Sequence, residues 1–205
     1  MSNNKSLSAI EQLNRDKVLK PLIKQLGVLK QKKGKDVYLS LCRSIVSQQL
    51  SIKAADTIWN RYVQLFKDQY PGPQEVIDLD IEQMRKSGLS YQKAGYLKNI
   101  AVFALKSGFD HQVLKKLSDE ELIQHLVTIK GVGKWTAEMV LMFTMGRTDV
   151  LPLDDLGIQQ GMTRLYGLKG EKLKLKKQMS LVAENWRPYR SLACLYIWRY
   201  KDAGY

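Results

Sequence analysis

The sequence contains few of the residues that build metal sites and disulfide frameworks. Its 205 residues include only 2 cysteines, Cys42 and Cys194, and 2 histidines, His111 and His125, and all four stand isolated from one another. The sequence has neither a C-x-x-C pair nor the cysteine and histidine spacing of a zinc site. We therefore expect no disulfide framework, no catalytic metal and no cofactor.

Long apolar runs and strand-like alternation are also scarce. The apolar stretch around residues 139–145 is much shorter than the ~20 residues that a membrane span needs. The first residues, Met-Ser-Asn-Asn-Lys-Ser, lack the apolar core of a signal peptide. These absences predict a soluble intracellular protein with no membrane partner.

Positive charge, by contrast, is abundant. The chain has 33 Lys and Arg residues against 20 Asp and Glu residues, which gives a formal net charge of +13. A charge of this size favours a polyanionic partner, and nucleic acid is the leading candidate, although a basic protein without a specific site has the same signature. Five lysines lie within residues 169–177, a run more typical of a solvated face than of a binding site.

Apolar residues recur three and four positions apart through most of the chain, which predicts an all-α fold. Ser51 and Ser90 are expected to cap helices, and Gly27 and Gly88 are expected to end them. Further helix starts are marked by two capping-box patterns, Asp80-x-x-Gln83 and Ser118-x-x-Glu121, and the last helix is expected from about Pro188 to Tyr200.

Two glycines one residue apart, Gly131 and Gly133, lie between two predicted helices within residues 126–137. We expect both to adopt backbone angles that other residues avoid, and to let main-chain N–H groups approach an anion at the start of the second helix. Lys134 and Thr136 follow within the first turn of that helix. In this interpretation the hairpin binds DNA phosphates without reading bases; the alternative is a tight turn whose glycines serve packing only.

Two adjacent carboxylates, Asp154 and Asp155, follow Pro152 and directly precede a predicted helix. This is a typical position for a helix N-cap. Asp155 also follows Gly133 by 22 positions.

Three segments in this order, residues 43–55, the hairpin at 126–137 and residues 186–199, resemble the helix-hairpin-helix (HhH-GPD) DNA glycosylase superfamily, most closely the bacterial DNA-3-methyladenine glycosylase II type. The resemblance covers roughly residues 36–202. It implies a single all-α glycosylase unit over residues 1–205, with an N-terminal helical segment of about residues 1–35 and a two-lobed core whose DNA cleft lies between the lobes. It also implies a monomer that binds damaged double-stranded DNA, in the cytoplasm at a bacterial nucleoid or in a eukaryotic nucleus.

The resemblance assigns one catalytic aspartate. Alignment through Ile158 selects Asp155, whereas alignment through Pro152 selects Asp154. A carboxylate there stabilises the oxocarbenium-like sugar and activates water as the N-glycosidic bond breaks. In the bifunctional members a lysine stands two positions after the second hairpin glycine; here that residue is Trp135, which predicts a glycosylase without lyase activity.

The resemblance also assigns a base pocket and a wedge. Trp135, Trp198 and Tyr189 are expected around the flipped base, and Met139 stands where a tyrosine is expected. Indole faces attract cationic alkylated purines by stacking and cation–π interaction. The wedge that fills the gap left by the flipped nucleotide is expected at Gln49, with Gln48 and Leu50 beside it, in the DNA-binding loop before Ser51. A glutamine-rich turn without that role is the alternative.

Family members often bind a monovalent cation at the carbonyls of the hairpin turn, which implies such a site near Ile129. The expected function is hydrolysis of the base–sugar bond of alkylated purines, 3-methyladenine and also 7-methylguanine, in base excision repair. The two alternatives are a glycosylase for oxidised or deaminated bases and a non-catalytic helix-hairpin-helix module that binds DNA.

Overall fold

The computed structural model describes residues 2–31 and 33–204, and all regular structure in these residues is helical. They form thirteen α-helices and two short 3-10 helices, with no β-strand. The all-α fold expected from the sequence is therefore confirmed. No helix in this part of the chain combines the length and the apolar character that crossing a membrane requires.

The chain divides into two compact units. The first, which we call the terminal unit, consists of residues 1–33 and 146–205. Its elements are α1 (Ser2–Leu13), α2 (Leu19–Leu26), α11 (Leu156–Tyr166), α12 (Lys172–Ala183), a 3-10 helix (Glu184–Trp186) and α13 (Arg190–Asp202).

The second, which we call the hairpin unit, consists of residues 34–145. Its elements are α3 (Val37–Ser47), α4 (Ile52–Val63), a 3-10 helix (Lys67–Gln69), α5 (Pro73–Asp78), α6 (Ile81–Lys86), α7 (Tyr91–Ser107), α8 (His111–Leu114), α9 (Asp119–Val127) and α10 (Lys134–Phe143).

Within the terminal unit, α13 packs against both α11 and α2. The contact with α11 is close because Gly161 has no side chain: a Cβ atom there would lie 2.5 Å from Cγ2 of Ile197. The N-terminal residues are tied to this unit by Asp16, whose Oδ2 accepts hydrogen bonds from Tyr166 Oη and Trp186 Nε1, each at 2.8 Å. Helices distant in sequence thus share one core.

Within the hairpin unit, the long helix α7 packs against α3, α5 and α6, and α10 packs against α3 and α9. The side chains of α10 from Thr136 to Met142 are all buried, including Glu138. The first two residues of the helix are not among these buried side chains. This burial fixes the start of α10, where the hairpin turn ends.

Most helix boundaries follow the caps expected from the sequence. Ser51, Ser90 and Ser118 each accept a backbone N–H at a helix start, and Ser118 and Glu121 form a full capping box. The Asp80 side chain instead accepts from Glu82 N, so the capping box with Gln83 is not formed. The last helix begins at Arg190 rather than Pro188, because the backbone of its N-cap residue Tyr189, with φ −120° and ψ 29°, is not helical.

Candidate active site and nucleic-acid interface

The hairpin turn joins α9 to α10 within the hairpin unit, and Gly131 is the residue that its geometry requires. The backbone of Gly131 has φ +105°, a value that residues with a side chain rarely adopt. A Cβ atom there would also lie 2.2 Å from the Tyr96 ring. Both the conformation and the close approach of α7 therefore demand glycine.

Gly133 is the N-cap residue of α10 and has φ −90° and ψ 173°, which other residues adopt freely. The expectation that both glycines need special backbone angles is therefore wrong for Gly133. Gly133 is exposed, and a Cβ atom built there would meet no heavy atom within 4 Å. The missing side chain thus leaves open space beside the N–H groups at the start of α10, where a helix favours an anion.

The two polar residues that follow have different environments. Lys134 is largely exposed, with its Nζ 3.8 Å from Oε1 of the buried Glu138. Thr136 is 1% exposed, and its Oγ1 accepts a hydrogen bond from Gln48 Nε2 at 3.1 Å. The Thr136 side chain therefore contacts the turn after α3, and the expected DNA contact of this residue stays a prediction.

The turn between α3 and α4 carries the predicted wedge. Gln49, at its tip, is exposed and has φ +59°, an uncommon value for a residue with a side chain. Such backbone strain persists only where the surroundings enforce it. The carbonyl groups of Val46 and Gln48 each accept a hydrogen bond from Lys93 Nζ at 2.8 Å. The partial burial of Lys93 against this turn lowers the pKa of its amine.

Lys93 was missed by sequence reasoning because it lies on α7, more than forty residues from the turn that it holds. No local pattern marks it as a partner of α3. Ser51 ends the turn, and its Oγ accepts a hydrogen bond from Ala54 N at 3.3 Å, so it acts as the N-cap of α4.

The carbonyls of the hairpin turn are the groups expected to hold a monovalent cation. The Ile129 carbonyl accepts from Val132 N at 2.9 Å, and the Lys130 carbonyl accepts from Asn99 Nδ2 at 3.1 Å. Each oxygen keeps a second lone pair for another ligand. Among the described residues, no three His, Cys, Asp or Glu side chains are grouped to hold a metal. A cation at this turn would be held by backbone oxygens, and it stays a prediction.

A cavity of about 400 Å³ lies within the hairpin unit, on the face of α10 that carries Trp135 and Met139. Its volume is in the range of small-molecule sites. Trp135 is half-buried and Met139 is 9% exposed. The other lining residues belong to α3, α4 and the end of α10: Ser40, Arg43, Ser44, Ser47, Ala55, Asp56, Val140, Phe143 and Thr144. Two of the four predicted pocket residues therefore share one cavity.

Arg43 stands at this cavity as part of an ion pair. Its Nη2 lies 2.8 Å from Oδ1 of Asp56, and its guanidinium carbon lies 5.7 Å from the centre of the Trp59 ring. The Arg43 and Asp56 side chains are 59% and 50% exposed, so the pair contributes little to stability. It places one positive and one negative group at the cavity.

The terminal unit carries Asp155, the N-cap residue of α11. Its side chain is 9% exposed, and its Oδ1 accepts two hydrogen bonds, from Ile158 N at 2.7 Å and from Trp198 Nε1 at 2.9 Å. The N-cap interpretation is therefore confirmed, and the same contacts hold the carboxylate in a fixed orientation.

The other predicted aspartate is placed differently. Asp154 keeps 47% of its side chain exposed and forms an ion pair with Lys176 of α12. One lysine of the basic run at 169–177 is thus engaged with a carboxylate of the same unit. Of the two neighbours, Asp155 is the buried and oriented carboxylate.

The remaining predicted pocket residues, Trp198 and Tyr189, also belong to the terminal unit. The Trp198 indole N–H is directed at Asp155, a contact that sequence spacing did not reveal. The hydroxyl of Tyr189 lies 3.1 Å from Ser8 Oγ of α1. Trp135 and Met139 thus line the cavity of the hairpin unit, and Trp198 lies beside the carboxylate in the terminal unit. The single base pocket expected for all four residues stays a prediction.

Comparison with known proteins tests the resemblance. The family model described as "HhH-GPD superfamily base excision DNA repair protein" matches residues 42–188. DNA-3-methyladenine glycosylase 1 of Schizosaccharomyces pombe is 38% identical over 190 residues, which cover 90% of this chain and 82% of that protein.

Two solved structures are similar as well. The fission yeast 3-methyladenine DNA glycosylase Mag1 in complex with abasic DNA has a TM-score of 0.85 and 36% identity, covering 94% of this chain and 95% of its own. A DNA-3-methyladenine glycosidase from Bacillus halodurans has a TM-score of 0.78 and 34% identity, covering 93% and 87%. The family model spans most of the chain, and it contains the hairpin, both aspartates and the turn at Gln49. The chain therefore belongs to the HhH-GPD superfamily of base excision DNA repair proteins.

Proposed function

We propose that this protein is a monofunctional DNA glycosylase that hydrolyses the bond between an alkylated purine and its deoxyribose. The preferred substrate is 3-methyladenine, with 7-methylguanine as a further substrate, and the products are the free base and an abasic site. Similarity to glycosylases named for 3-methyladenine in fission yeast and in Bacillus halodurans supports this substrate class.

The observation that carries the proposal is the environment of Asp155. Cleavage of the base–sugar bond leaves positive charge on the sugar, and a preorganised carboxylate stabilises that charge and orients the attacking water. Asp155 is buried, is held by Ile158 N and Trp198 Nε1, and lies at the start of α11. An alkylated purine already carries positive charge, so its departure needs no strong general acid.

The cavity beside Trp135 supports the substrate class. A base must leave the duplex stack before its sugar can be attacked, and the flipped base then needs a pocket. Trp135 offers an aromatic face, and Met139 offers a polarisable thioether, beside hydroxyl groups of α3. An electron-rich indole attracts a cationic purine more strongly than a neutral one. We therefore assign the base pocket to Trp135 and Met139.

Two turns of the hairpin unit serve DNA binding in this proposal. The hairpin at Gly131 and Gly133 offers the N–H groups at the start of α10 to a backbone phosphate, with Lys134 beside them. The strained tip at Gln49 supplies the wedge that fills the gap in the stack. Phosphate contacts anchor the protein on any sequence, and the wedge acts on the flipped nucleotide.

The absence of a lyase step follows from the residues after the hairpin. A Schiff base requires a neutral lysine amine at the sugar. Trp135 occupies the position of that lysine in bifunctional members, and the adjacent Lys134 is paired with Glu138. We therefore propose water, and not a lysine, as the nucleophile.

Single-turnover release of free base from methylated duplex DNA tests the proposal. Asp155→Asn keeps a good N-cap residue but removes the charge, so α11 stays folded and release should slow by about 100- to 10,000-fold. Asp154→Asn is the matched control, because it makes the same substitution one residue away and breaks only an exposed ion pair. The control should retain nearly full activity.

Running the products before and after hot alkali tests the lyase prediction, because strand breaks should appear only after alkali. Full activity in Asp155→Asn would refute the role of that carboxylate. Retained DNA binding with no release from any lesion would instead identify a binding module, and faster release of hypoxanthine or 8-oxoguanine would identify a glycosylase for neutral lesions.

A further inference from the structure

We infer that Trp198 is a positioning residue for the Asp155 carboxylate, acting through its indole N–H and not by stacking on the flipped base. The distance from Trp198 Nε1 to Asp155 Oδ1 is 2.9 Å. This inference rests on the proposed role of Asp155. It gives one tryptophan of the chain a function that its sequence position alone does not indicate.

The packing of α11 against α13 is built around this contact. Gly157, two residues after Asp155, leaves room for the indole: a Cβ atom there would lie 3.0 Å from Trp198 Cδ1 and 3.1 Å from Asp155 Oδ1. One turn later, Gly161 lets Ile197, the neighbour of Trp198, approach α11 closely. Two glycines on one face of α11 therefore bring α13 within hydrogen-bonding distance of its N-cap.

The carboxylate gains a definite orientation from this arrangement. Ile158 N and Trp198 Nε1 both donate to the same oxygen, Oδ1, from two different helices. Two donors on one oxygen fix the carboxylate plane more tightly than the N-cap bond does alone, and hydrogen bonds to a charged group are among the stronger ones. Loss of the indole donor should therefore loosen the carboxylate.

The test separates the N–H group from the ring. Trp198→Phe keeps an aromatic ring but removes the donor, and we expect roughly 10- to 100-fold slower base release at saturating enzyme, with lesion-DNA affinity unchanged. Trp186→Phe is the matched control, because Trp186 Nε1 donates to a different carboxylate, Asp16, in the same unit. It should lower thermal stability but leave the rate of base release at saturating enzyme unchanged.

A spectroscopic readout tests the hydrogen bond without activity. The chain has 4 tryptophans, so four indole N–H signals are expected in a ¹H–¹⁵N spectrum, and Trp198→Phe identifies the one that belongs to Trp198. That signal should shift in Asp155→Asn, because the acceptor of its hydrogen bond changes. A Trp198 signal that keeps its position in Asp155→Asn would overturn the inference.

Kinetics supply the remaining outcomes. If Trp198 acts through Asp155, Trp198→Phe should have little further effect on the residual activity of Asp155→Asn. If the two substitutions slow base release independently, so that their effects multiply in the double variant, the inference is overturned in favour of base stacking. The same conclusion follows if Trp198→Phe binds lesion DNA more weakly but releases the base at an unchanged rate. Full activity in Asp155→Asn would overturn the proposed catalytic role and this inference together, while full activity in Trp198→Phe alone would overturn only the inference.

Discussion

At the scale of the residue, the two hairpin glycines illustrate two different reasons for the same amino acid. Gly131 has a positive φ and lies against the Tyr96 ring, so its glycine is required by the folded chain itself. Gly133 has ordinary backbone angles and open space where a side chain would be. Nothing in the fold requires glycine at 133, which is consistent with a role in contacting a partner.

Alanine substitutions should separate these roles. Gly131→Ala forces both a strained φ and an overlap with Tyr96, and we expect it to destabilise the protein by about 2–4 kcal/mol. Gly133→Ala should change stability by no more than about 0.5 kcal/mol but should weaken binding to undamaged duplex DNA by roughly 10-fold, because the methyl group occupies the space before the start of α10. Thermal denaturation and equilibrium binding measure the two effects. Equal DNA affinity of Gly133→Ala and wild type would contradict a phosphate contact at this turn.

At the scale of the element, the turn between α3 and α4 is held from two neighbouring helices. Lys93 of α7 binds the carbonyls of Val46 and Gln48, and Thr136 of α10 binds the Gln48 amide. These contacts surround the strained residue Gln49 and explain how its backbone conformation persists. The turn is therefore preorganised by residues that do not themselves form it.

Loosening this turn should impair base flipping more than duplex binding. Lys93→Met removes both carbonyl contacts while it keeps a long apolar side chain, so the wedge should lose its fixed position. With 2-aminopurine opposite or beside a lesion, fluorescence should report a smaller flipped population, and base release should slow by roughly 10-fold. Lys98→Met is a matched control, because Lys98 lies on the same helix as Lys93 but donates to the carbonyl of Ile77 in α5. A similar loss in both variants would indicate general destabilisation of α7.

The close packing of α11 against α13 should also depend on a single glycine. Gly161→Ala places a methyl group 2.5 Å from Cγ2 of Ile197, so the helices must separate, at a cost of about 1–3 kcal/mol in unfolding free energy. Gly95→Ala on α7 is the control, because a Cβ atom there meets nothing within 4 Å and alanine is the better helix former. The two variants should shift the thermal midpoint in opposite directions. Separation of the helices should also slow base release in Gly161→Ala, because Trp198 would move away from Asp155.

At the scale of the whole molecule, the net charge of +13 should govern how the protein meets DNA. Each lysine or arginine that neutralises a phosphate releases counterions, so log affinity should fall linearly with log salt concentration. Lys134→Gln should reduce the magnitude of that slope by about one. It should also weaken binding to lesion-containing and to undamaged duplexes equally. Titrations at several salt concentrations measure the slope. A loss of affinity for lesion DNA only would place Lys134 at the damaged nucleotide and not at a backbone phosphate.

Local sequence patterns predicted much of the secondary structure. Helix periodicity, serine caps and helix-ending glycines depend on residues within a few positions of each other, and they predicted several of the longer helices in both units. The same local logic located the hairpin and the pair of aspartates. It did not extend to Gly133, whose backbone angles are ordinary, or to the start of α13, which the non-helical backbone of Tyr189 sets at Arg190.

The sequence by itself therefore determined an all-α chain, a glycine hairpin, a candidate carboxylate at a helix start and a strongly positive charge, because each depends on composition or on near neighbours. Tertiary structure alone decided that Asp155 and not Asp154 is buried, that Trp198 donates to it, and that Lys93 and Thr136 hold the turn at Gln49. These contacts join residues about forty to ninety positions apart, and no local pattern specifies which distant side chains meet. Packing of whole helices makes that choice, since it depends on the shapes of all their faces together.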